Sequence, residues 1–90
     1  MSEKALEQYL VKQATKHNHL CYKWVSPAQR GVPDRILIAP TGSITFIELK
    51  STTGLGKLSP LQVVTINKLT DHGCDVRVLS SKESVDAIFA

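Results

Sequence analysis

Leu6, Tyr9, Leu10 and Ala14 recur at helical spacing behind Ser2, a residue type that caps helices, so the chain opens with a helix running to about Lys16. Its opposite side is Lys4, Gln8, Lys12 and Lys16. From Leu20 to Val25 the period drops to two, with Leu20, Tyr22 and Trp24 on one side, which predicts a strand whose aromatics read as core residues rather than as a base-stacking pair. The loop SPAQRGVP follows. Asp34 to Ala39 and Ile44 to Lys50 are β-rich runs joined by Pro40-Thr41-Gly42-Ser43, a hairpin signal in which Gly42 supplies the left-handed turn position. That hairpin sets Ile36 opposite Phe46, Ile38 opposite Ile44 and Asp34 opposite Glu48.

After STTGLGK, read as a flexible stretch, Ser59-Pro60-Leu61-Gln62 combines a cap serine, a first-turn proline and a capping-box glutamine. The helix it starts should end near His72, at the Gly73 stop. Cys74 to Leu79 reads as a strand with Val76 and Val78 inward, lying parallel to the Ile44 to Lys50 strand because a helix connects the two. A short helix from Ser80-Ser81 ends on Val85, Ile88 and Phe89. The expected fold is α/β, a mixed sheet flanked by helices in the order α-β-β-β-α-β-α.

Ninety residues with 42% apolar content suit one domain, 1–90, and no second one. Eleven Lys and Arg against eight Asp and Glu give a formal charge of +3, compatible with a polyanionic partner but not diagnostic of one. Cys21 and Cys74 lack any paired metal-ligand spacing and read as buried free thiols. No apolar run reaches membrane-spanning length and no signal peptide opens the chain, so a cytoplasmic protein is expected.

The informative charges are those inside apolar strands. Asp34, Glu48 and Lys50 converge at the open end of one hairpin, in a sequence reading P-D, thirteen residues, then E-L-K. Two facing carboxylates repel unless a cation lies between them, and hard oxygen donors at a strand end suit Mg²⁺, with Mn²⁺ able to substitute. Lys50, on the same side as Glu48, would set an ammonium beside that metal. These are the parts that phosphodiester hydrolysis needs: a Lewis acid, a water nucleophile and positive charge for the transition state.

Gly31-Val32-Pro33-Asp34-Arg35, then Phe46-Ile47-Glu48-Leu49-Lys50, resembles the PD-(D/E)xK nuclease superfamily. With Gly56-Lys57-Leu58-Ser59-Pro60-Leu61-Gln62 added, the resemblance narrows to the VRR-NUC family, virus-type replication and repair nucleases. It implies a restriction-endonuclease-like αβββαβ core. Asp34, Glu48 and the Leu49 carbonyl are implied as metal ligands, and Lys50 as the catalytic lysine. An acidic residue on the first helix and a glutamine after the motif match Glu7 and Gln62. Glu7 reads equally as an ordinary helix-flank carboxylate, and Gln62 as the partner of Ser59. The resemblance further implies a structure-selective endodeoxyribonuclease acting as a homodimer on branched DNA such as Holliday junctions, in the host cytoplasm if phage-encoded. Arg30, Arg35, Lys23 and Lys57 are candidate phosphate contacts, or solvated loop charges. A non-catalytic branched-DNA-binding module is the competing reading, although none of the motif residues is missing.

Overall fold

The protein is described by a computed structural model covering residues 1–51 and 57–90, so the STTGLGK stretch and Gly56 lie largely outside the described residues. Seven elements follow in the expected order: α1 (Glu3–Lys16), β1 (Leu20–Lys23), β2 (Arg35–Ile38), β3 (Ile44–Leu49), α2 (Pro60–Asp71), β4 (Asp75–Leu79) and α3 (Lys82–Ile88). They build one four-stranded sheet in the order β1-β2-β3-β4, the first two pairings antiparallel and the last parallel. The expected hairpin register holds. Ile36 faces Phe46 and Ile38 faces Ile44, while Gly42 takes a positive φ of 90° in the turn.

Each helix starts where its cap serine stands. The Ser2 side chain accepts from the Ala5 amide, and Ser59 and Ser81 each close a reciprocal capping box. α1 turns Leu6, Leu10 and Ala14 onto one sheet face, where they meet Leu37, Ile47, Leu49, Leu79 and Val85 in a closed core. Burying this apolar set supplies most of the driving force for folding.

The opposite face is only partly covered, because α2 packs along β4 at one margin. Two expectations fail on that face. Val78 has the expected orientation but stays 43% exposed, and the deeply buried residue of β4 is Leu79 on the other face. Tyr22 is 55% exposed rather than in the core, whereas Trp24 does pack, its ring 4.9 Å from that of Phe46. Both cysteines are free as expected but only half-buried.

The loop between β1 and β2 is fastened to α2 at Gly31, whose φ is +85°. A Cβ there would fall 2.8 Å from Thr65 Oγ1 and 2.9 Å from the Leu61 carbonyl oxygen. Both the left-handed backbone and the missing side chain are therefore needed. Gly31→Ala is expected to cost roughly 2 kcal/mol or more, read as a lowered urea midpoint at unchanged slope.

Candidate active site

Asp34 enters β2 behind the buried Pro33 and is held from two directions. Its backbone carbonyl accepts from the Trp24 amide at 3.0 Å, and its Oδ2 accepts from the Leu49 amide at 2.9 Å. The second bond ties the end of β2 to the end of β3. The register that pairs Arg35 with Ile47 then sets Asp34 across from Glu48, as the hairpin pattern requires.

Glu48 is only 2% exposed, which is unusual for a carboxylate. Its Oε2 accepts from Gln62 Nε2 at 3.0 Å and lies 3.3 Å from Lys50 Nζ. Its Oε1 is buried with no hydrogen-bond partner among the described residues. Gln62 holds both expected positions at once, since its Oε1 closes the capping box with the Ser59 amide at 2.9 Å while its Nε2 serves Glu48. Lys50 is anchored through its backbone, which donates to the Leu79 carbonyl of β4 at 2.9 Å. Its side chain is largely buried too.

The electrostatics follow from that burial. Desolvation, followed by the neighbouring charge of Asp34, raises the Glu48 carboxyl to about 7 against the opposing pull of Lys50. Asp34 is raised as well, first by burial, with the Leu49 amide pulling the other way and Glu7 and Glu3 adding repulsion. Glu3 also raises Glu48. Glu3, one helical turn before Glu7, acts there only as a charge at a distance and is itself exposed. Glu7 itself is engaged elsewhere, with Oε2 2.7 Å from Arg35 Nε, so the structure does not bring it together with both carboxylates.

Among the described residues no group of three or more His, Cys, Asp and Glu side chains is arranged to hold a metal alone. The residues nevertheless fit a hard divalent cation. A buried, unpartnered carboxylate oxygen is costly, and Glu48 Oε1 is one, next to a second carboxylate whose charge it repels. Asp34 and Glu48 would hold such an ion, with backbone carbonyl and water completing an oxygen shell. Of the candidate phosphate contacts, Lys23, Arg30 and Lys57 are exposed and Arg35 is half-buried against Glu7.

Residues 2–83 match the VRR-NUC domain. The chain belongs to the VRR-NUC family. The p44 protein of Acyrthosiphon pisum secondary endosymbiont phage 1, whose name describes it as a putative nuclease, is 38% identical over 81 residues, covering 90% of this chain and 85% of the relative. A solved structure described as a VRR_NUC domain superposes with a TM-score of 0.87 at 27% identity, covering 96% of this chain and 91% of that one. This VRR-NUC chain is therefore a nuclease domain with the mixed α/β fold of the family. Asp34, Glu48, Lys50 and Gln62 are the residues that its fold gathers at the end of the β2–β3 hairpin. Among the described residues no helix is long and apolar enough to cross a membrane.

Proposed function

We propose that this VRR-NUC domain is a Mg²⁺-dependent endodeoxyribonuclease selective for branched DNA. The observation that supports the metal is the orphaned Glu48 Oε1 beside Asp34, a buried demand for positive charge that Lys50 meets on one oxygen only. A bound divalent ion would supply Lewis acidity toward a phosphate oxygen and a water of lowered pKa. The chain's own residues do the rest. Asp34, Glu48 and the Leu49 carbonyl would hold the ion, and Gln62 engages one oxygen of the Glu48 carboxylate while leaving the other available. Lys50 orients the attacking water and meets the charge that grows on the phosphate as the P–O bond to the leaving strand breaks. Glu3 and Glu7 add negative potential at the helix end, and Arg35 holds the Glu7 carboxylate at 2.7 Å.

Branched substrates suit a domain that works as a pair. A homodimer would present two sites to a symmetric junction, and the uncovered sheet face offers a surface for it. Leu20, Tyr22 and Ile44 stand there at 49%, 55% and 50% exposure, on strands whose other face is core. The protein acts, on this reading, in the cytoplasm of a bacterial host.

The test is incubation with a synthetic four-way junction, a flap and plain duplex, with Mg²⁺ or EDTA. Metal-dependent cutting, fastest on a branched substrate, is expected. Absence of metal-dependent cutting on all three would end the proposal.

A further inference from the structure

The formal surplus of three positive charges is not spread evenly. Alongside α1 runs a groove of about 800 Å³ whose lining includes Lys4, Lys12, Lys16 and Arg35 as cations and Glu7 as its one acid. Arg35 and Glu7 neutralise each other at 2.7 Å, which leaves the three lysines. Their charge equals the net charge of the whole chain, so the remaining charged residues balance to zero. None of the three lysines is in an ion pair among the described residues.

The groove also has a direction. The Glu7–Arg35 pair stands between Lys4 and Lys12 in helix order, and its arginine is the sequence neighbour of Asp34. Lys4 lies before the pair, and Lys12 and Lys16 follow Glu7 by five and nine residues, the last about 13 Å on at the helical rise. Over that length of duplex axis one B-form strand carries about four phosphates. Val11 lines the groove too, and the lysine stems can lie along such apolar surface with their ammonium groups outward.

We propose that this groove is the track for the phosphate backbone of one DNA strand, which leaves the carboxylate pair past Arg35, with Lys4 flanking it there, and follows Lys12 and Lys16 along α1. The proposal rests on the nuclease reading for its direction and deepens it by naming where the strand lies. A polyanion fits here because its repeating charge meets a line of unpaired cations, and because neutralising phosphates releases counterions.

The experiment measures binding of a labelled flap substrate to the full chain in EDTA by fluorescence anisotropy from 50 to 200 mM NaCl, and cleavage of the same flap by the same wild-type preparation in Mg²⁺. Lys12→Ala/Lys16→Ala is expected to weaken binding about tenfold at 100 mM and to reduce the slope of log K against log salt by roughly 1.5. Lys68→Ala, which removes a cation outside the groove, is expected to change neither. Binding by the double variant within twofold of wild type with the same slope overturns the track, as does an equal loss in Lys68→Ala. A poly-glutamate peptide that outcompetes DNA in a Lys12- and Lys16-dependent manner would reassign the groove to an acidic protein partner. Failure of the wild type to cut is a separate result and counts against the nuclease chemistry, not the track.

Discussion

Lys50→Ala is expected to slow DNA cleavage by a factor of about 10³ or more while the protein still folds and still responds to divalent metal. The ammonium lies 3.3 Å from Glu48 Oε2 with a side chain only 12% exposed, so it works where water screens it poorly. Removing one such preorganised donor costs about 10²–10³ in rate in comparable sites, and loss of help in orienting the nucleophile adds to that. The backbone position survives, because the Lys50 amide keeps its bond to Leu79 whatever the side chain. Single-turnover cleavage under saturating Mg²⁺ measures the effect. A Lys50→Ala rate within tenfold of wild type would remove the residue from the chemistry.

In Glu48→Gln the larger change should be thermodynamic. The wild-type carboxyl titrates near 7 in the folded protein against about 4.5 when unfolded, so its folded-state pKa is raised. Between those values the folded state holds the extra proton. Its stabilising contribution is full below about pH 4.5 and is lost as pH rises to about 7, on the order of 3 kcal/mol for this group. Metal-free wild-type protein should therefore lose stability across that window, and Glu48→Gln should flatten the profile. Above pH 7 a divalent ion at 100 times its Kd should restore about 2.7 kcal/mol, roughly 10 °C or more in Tm for a domain this small. Glu48→Gln should show almost none of that shift. Thermal melts from pH 4.5 to 8, with and without Mg²⁺, read both effects. A wild-type melt that ignores Mg²⁺ would contradict the metal assignment.

The parts of the site that were legible in sequence are those fixed by local geometry. Strand period and turn length determine the hairpin register, and the register alone sets Asp34 opposite Glu48. Serine caps determine where α2 begins, and so where Gln62 stands relative to β3. What sequence could not provide was coverage. Alternation says that Tyr22 shares a face with Trp24, but not that α2 would pack along the far margin, at β4, and leave β1 open. The engagement of Glu7 was hidden for a related reason. On α1 it reads as a flank carboxylate, and only the tertiary position of Arg35 shows what holds it. The near-complete burial of Glu48 depends likewise on α2 closing over the strand end, which no pattern in I-T-F-I-E-L announces.

The bond from Lys50 to Leu79 carries a consequence for biosynthesis. Asp34, Glu48 and Lys50 leave the ribosome early and belong to a hairpin of short loop length, the kind of contact that forms fast. Yet the lysine backbone is held by β4, and Glu48 by α2, both made later. A parallel strand behind a helical crossover is a slow, long-range pairing. The Asp34–Glu48–Lys50 cluster thus depends on the two elements made after it, and a chain truncated before β4 would carry the whole motif without these supports.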